Sequence, residues 1–109
     1  IRRYNKTIKT IHRYIKQHLQ EDISLTTLAE QVYLNPVYLS RIYKQLTGQK
    51  LSNYITRERI ERAKTLLAEP QYKINEIGYQ VGYESPAHFS RAFKKTVGLT
   101  PAEYRESLL

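Results

Sequence analysis

Two Ser-Arg pairs, Ser40-Arg41 and Ser90-Arg91, stand 50 residues apart in a chain of 109, each with a lysine three residues on, Lys44 and Lys94. An arginine guanidinium can donate two parallel hydrogen bonds to paired acceptors, and a serine hydroxyl can donate or accept. A lysine adds a positive charge on a flexible stem. Residues three and four apart share one helix face, so each set can act together. That chemistry suits a polyanion with acceptors at fixed places: phosphates for hydroxyls and ammonium groups, guanine O6 and N7 for arginine. Lys95 adds to the second set.

The charge of the whole chain agrees. Eighteen Lys and Arg face ten Asp and Glu, a formal +8, and Arg2, Arg3, Lys6, Lys9, Arg13 and Lys16 all precede the first acid, Glu21. Such a balance favours nucleic acid, although acidic peptides and anionic membrane surfaces attract the same charge.

Other chemistries lack their parts. The chain has no cysteine, so it has no disulfide, thiolate metal site or cysteine nucleophile. There is no glycine-rich phosphate loop, nucleophile elbow or pair of catalytic carboxylates. His12 and His18 have no carboxylate or cysteine partners at metal spacing, and a lone exposed His88 reads as a solvated imidazole unless it donates to a base. The expectation is a protein that is not an enzyme and takes no metal or cofactor. No apolar run approaches the roughly 20 residues that span a bilayer, so a cytoplasmic location is expected.

These side chains need elements to hold them. Ile8, Ile11, Tyr14, Ile15 and Leu19 follow helical spacing, predicting a first helix over about 3–19. Ser24 caps a short helix whose apolar face is Leu25, Leu28, Ala29 and Val32. Asn35-Pro36 restarts helix with a cap and a first-turn proline, Leu39, Ile42, Tyr43 and Leu46 form its buried stripe, and Gly48 stops it. A longer helix follows over 51–69, with Tyr54, Ile55, Ile60, Ala63, Leu66 and Leu67 inward. Arg57, Glu58, Arg59, Glu61, Arg62 and Lys64 face outward, Glu58, Arg59, Glu61 and Arg62 as surface ion pairs, and Pro70 ends the helix. Ile74 to Val81 forms another short helix. Ser85-Pro86 repeats the capped start with Phe89, Ala92, Phe93 and Val97 inward and Gly98 as stop, and Thr100-Pro101 opens the last helix. No strand pattern survives. The class is all-α, with about seven helices.

The chain also repeats itself. A shift of 49 superposes Leu28 on Ile77, Ala29 on Gly78 and Val32 on Val81. One added residue in the turn makes the shift 50 and superposes Pro36, Ser40, Arg41, Lys44, Gly48 and Tyr54 on Pro86, Ser90, Arg91, Lys94, Gly98 and Tyr104. Leu39/Phe89 and Tyr43/Phe93 are conservative pairs. Each copy is a short helix, a tight turn and a second helix opened by a capped proline, which is a helix-turn-helix. A small residue on each first helix, Ala29 or Gly78, lets the second helix cross closely. A plain helical hairpin would show the same apolar stripe but not the same basic, hydrogen-bonding outer face twice in register. Tyr33 stands where the second copy has Gly82, so the two turns need not share a geometry. Gly78 weakens its helix by up to about 1 kcal/mol relative to alanine.

Taken together, these motifs resemble the DNA-binding domain of the AraC/XylS family of bacterial transcription regulators. The resemblance covers nearly the whole chain. Its most specific part is the run from Ala87 to Arg105, AHFSRAFKKTVGLTPAEYR, and the stretches 74–83 and 59–67 match as well. It implies two helix-turn-helix subdomains, 1–50 and 70–109, joined by a helix over 51–69. It also implies that recognition helices over about 36–46 and 86–97 enter successive major grooves of double-stranded DNA, one helical turn apart. The family's base-reading places fall on Val37, Ser40 and Arg41 in the first unit, with Tyr38 as neighbour, and on Pro86, Ala87, His88 and Arg91 in the second. Val37, Pro86 and Ala87 can offer only apolar contact, such as to a thymine methyl.

Lys44, Ser85, Ser90, Lys94 and Lys95 are expected on the DNA backbone. Thr26, Thr27 and Asn75, at the starts of the first helices, are expected there too, where free N–H groups favour phosphate. Tyr38 and Tyr83 are further backbone candidates, while Tyr43, Tyr54 and Tyr104 read as core. The match most resembles response regulators, implying a receiver domain upstream, with a sugar-sensing companion as the other arrangement. It implies RNA polymerase as a partner and activation as the commoner mode. The competing reading is a basic helical protein-interaction or membrane-surface adaptor, which would need an exposed apolar anchor.

Overall fold

The computed structural model starts helix behind a side-chain cap at Ser24, Asn35, Ser85 and Thr100, each ahead of an apolar 3.6-residue period. It describes residues 2–109. The side chains of Arg2 and Arg3, part of the basic opening segment, lie outside the described residues. Seven helices and no strand occur among the described residues: α1 (Arg2–Gln17), α2 (Leu25–Gln31), α3 (Pro36–Thr47), α4 (Leu51–Leu67), α5 (Ile74–Gln80), α6 (Pro86–Val97) and α7 (Pro101–Ser107). Helices α1 and α4 each end two residues before their expected limit. Leu19 still buries its side chain beyond the end of α1.

The caps are those the sequence offers. Ser24 Oγ accepts from Thr27 N–H, Asn35 Oδ1 from Val37 and Tyr38 N–H, and Ser85 Oγ from His88 N–H. Thr100 and Glu103 cap α7 reciprocally, each side chain accepting from the other's backbone N–H. These bonds, the Thr100 backbone bond first, hold the Glu103 carboxyl below the usual glutamate range. Gly48 and Gly98 stop α3 and α6 at φ 78° and 90°, where a Cβ would be strained.

The chain forms two compact units, Ile1–Ile55 and Thr56–Leu109, and α4 contributes its first residues to one and the rest to the other. In the first unit Ile11, Ile15, Leu28, Ala29, Leu39, Tyr43 and Tyr54 close a core. In the second Ile60, Ala63, Leu67, Ile77, Val81, Phe89 and Phe93 do so, with Tyr104 packed against them. Burying each large side chain stabilises its unit by about 1.5–3 kcal/mol. Leu46 departs from expectation. It is 40% exposed, in the last turn of α3 beyond the reach of the core cluster.

Both helix-turn-helix turns close with the same backbone hydrogen bond despite their different residues. Tyr33 adopts φ 57° and Gly82 φ 104°, both left-handed. Leu34 N–H then reaches Ala29 O, and Tyr83 N–H reaches Gly78 O, each at 3.0 Å. Satisfying the last carbonyls of a seven-residue helix requires that turn, so Tyr33 accepts a conformation that glycine adopts without strain. The glycine at 78 also has a packing reason. A Cβ there would lie 3.0 Å from Cβ, Cγ and Cδ2 of Phe89. The first unit combines Ala29 with the smaller Leu39, and the second combines Gly78 with Phe89.

Candidate nucleic-acid interface

Burial of Leu39, Ile42 and Tyr43 fixes the rotation of α3 and therefore what its other face presents. Val37 (66% exposed), Tyr38, Ser40, Arg41 and Lys44 all reach solvent. Val37, Ser40, Arg41, Lys44 and Gln45 line, with Leu25 of α2, an open cleft of about 600 Å³. Leu25, Ser40 and Lys44 also border a second groove that includes Lys50 and Ser52. Four of the expected first-unit residues are thus gathered on one surface. Tyr38 Oη lies 2.6 Å from Tyr4 Oη on α1. Thr26 is exposed. Thr27 is half-buried, with its hydroxyl 2.9 Å from Ser24 Oγ and its N–H given to the same oxygen, so it serves the cap of α2.

In α6 the buried pair Phe89 and Phe93 sets the rotation in the same way. Ala87, His88, Arg91, Lys94 and Lys95 are exposed, whereas Pro86, Ser90 and Ser85 are half-buried. Ser85 Oγ is occupied by His88 N–H. Asn75 is exposed in the first turn of α5, whose capping residue Lys73 makes no side-chain cap bond. His88 is more than a solvated imidazole: its ring meets the Tyr83 ring edge-on, centroids 5.2 Å apart.

Tyr83 corrects an expectation. It is 8% exposed and packs on Phe89, which removes it from any phosphate. Burial pushes its phenol above the ordinary tyrosine range, and the Arg59 guanidinium, 5.8 Å over the ring, partly offsets this. The repeat carried the signal for its burial, because the 49-residue shift sets Tyr83 on Leu34, which packs against the first core.

A family model described as a helix-turn-helix domain matches residues 28–107, from within α2 to the end of α7. The chain belongs to the AraC/XylS family. The arabinose operon regulatory protein of Escherichia coli K12 is 34% identical over 94 residues, 85% of this chain and 32% of that protein. The C-terminal domain of AraT, a response regulator from Geobacillus stearothermophilus, superposes with a TM-score of 0.88 at 37% identity, covering 93% of this chain and 84% of that one. The DNA-binding domain of AdpA, a global transcriptional factor solved with a target DNA, superposes at 0.83 with 27% identity, covering 89% and 87%. This is an AraC-type DNA-binding domain, and it spans 13–35% of the length of the first curated relatives.

Two residues of this AraC-type domain have roles that spacing did not reveal. Arg105 donates from Nε to Leu67 O at 2.9 Å and from Nη2 to Tyr72 O at 2.7 Å and Glu69 O at 3.3 Å, satisfying main-chain acceptors at and after the end of α4. His12 stacks on Tyr54 at 3.9 Å and places Nε2 2.8 Å from Tyr43 Oη. Among the described residues no three His, Cys, Asp or Glu side chains gather as a metal ion requires. No helix there is long and apolar enough to cross a membrane.

Proposed function

We propose that this domain binds duplex DNA sequence-specifically through α3 and α6, placed in successive major grooves on one face of the helix. It acts as the C-terminal part of a bacterial transcription activator in the cytoplasm, with RNA polymerase as partner and a receiver or sensor domain upstream. One observation carries the reading. The second helix of each helix-turn-helix exposes an arginine and a lysine in the same register, Arg41 and Lys44 in one unit and Arg91 and Lys94 in the other, beside Ser40, which is exposed, and Ser90, which is half-buried. Arginine in that setting reads guanine edges, while lysines and hydroxyls bind phosphate. The DNA-bound AdpA domain, with the same fold, supports the choice of ligand.

Around that common set the units differ. Val37 and Tyr38 flank the first, and Pro86, Ala87 and His88 flank the second. The site read is therefore asymmetric, about 34 Å (one helical turn) separates its two halves, and the first unit reads more bases directly. The test is selection of bound sites from a random duplex pool, followed by affinity measurements across a salt series. Six or more phosphate contacts predict a log–log slope of about −5 or steeper. No enriched sequence, or binding insensitive to salt, would overturn the reading.

A further inference from the structure

The repeat sets Tyr38 on His88, each the third residue of its helix. The residues that follow, Leu39 and Phe89, are fully buried, so Tyr38 and His88 stand at the margin of the exposed face. Both are aromatic, and both carry a hydrogen-bonding group at the far edge of the ring. Each also meets a tyrosine from outside its own helix. Tyr4 Oη of α1 is 2.6 Å from Tyr38 Oη, and the Tyr83 ring, from the turn, meets the His88 ring at 5.2 Å and 74°. Tyr83 is itself immobilised, buried against Phe89 with centroids 5.6 Å apart.

A hydrogen bond between two exposed phenols adds little to folding, because water replaces it readily. Its effect is to restrict. A long aromatic side chain that must order itself on a ligand weakens binding, and one already ordered by the fold does not. The bond to Tyr4 restricts the orientation of the Tyr38 ring at the margin of the face offered to base edges. In the second unit, the edge-on contact with the buried Tyr83 ring restricts the imidazole of His88. The third position of a helix entering the major groove end-on is among those that reach bases.

We propose that Tyr4 and Tyr83 are positioning residues for sequence reading, pre-setting Tyr38 and His88 at equivalent points of the two recognition helices. The inference rests on the DNA-binding reading above and adds to it which side chains outside the helices decide selectivity.

The test compares the parent domain with Tyr4→Phe, Tyr38→Phe and the double variant on the selected site, on random duplex and in thermal unfolding. Tyr4→Phe removes only a hydroxyl. It is expected to lower specific-site affinity about fivefold while leaving random-duplex affinity and Tm unchanged, and to add nothing in the Tyr38→Phe background. Equal losses on specific and random DNA, or losses that add in full, would overturn it. In the second unit Tyr83→Phe keeps the ring and should keep selectivity. Tyr83→Leu imitates Leu34 of the first unit, and it should relax preference at the bases His88 faces but have no such effect once His88→Ala is present. Identical behaviour of the Phe and Leu variants would overturn the second half. A parent domain that binds without any preference sinks the DNA-reading function itself. A selective parent with an equally selective Tyr4→Phe variant sinks only the positioning.

Discussion

Arg105 donates three hydrogen bonds to main-chain oxygens, and its planar guanidinium is what lets one side chain serve carbonyls from three residues. Charged bonds to partly buried carbonyls are worth more than neutral ones, and their loss leaves acceptors unsatisfied. Arg105→Ala is therefore expected to lower the unfolding free energy by about 2 kcal/mol in urea titration. Arg105→Lys should recover less than half of that, because one ammonium cannot span the same acceptors. A change within the ordinary range of surface substitutions would contradict the role. Nothing in the spacing of Arg105 marks it for this work. Its acceptors lie 33 to 38 residues away in sequence, so only the folded chain brings them together. Arg41 and Arg91, by contrast, are marked by their register in the repeat and by the buried residues beside them.

The two helix-turn-helix turns make the same pair of backbone bonds with different residues at the left-handed position, and only one of those residues is glycine. Tyr33 is 94% exposed, so its ring contributes little burial in return for the unfavourable φ. Tyr33→Gly is expected to stabilise the domain by about 1 kcal/mol, the strain of one left-handed residue less the extra backbone entropy of glycine. Urea or thermal unfolding checks this, and a destabilised variant would show that the Tyr33 ring makes an important contact. Helix limits were legible because caps and prolines are local signals, and most of the apolar stripes held for the same reason. The exposure of Leu46 was not legible. Helical period says which side a residue faces but not whether a neighbour covers that side.

Each unit of the molecule has its own core and its own basic face, so their contributions to binding can be separated. Arg41→Ala and Arg91→Ala are each expected to cost about 1–3 kcal/mol on the selected site and to relax preference at different half-sites. Quantitative selection with the two variants checks this, and unchanged preference in both would remove the arginines from base reading. The sequence by itself determined the all-α class, the repeat, the caps and the outward Arg and Lys of each unit. These follow from local backbone chemistry and from periodicity, which operate within a few residues. Tertiary structure alone decided that Arg105 holds the end of α4 and that His12, Tyr4 and His88 each have an aromatic neighbour. Those facts depend on which side chains meet across tens of residues, and that is set by packing complementarity, which no short window of sequence contains.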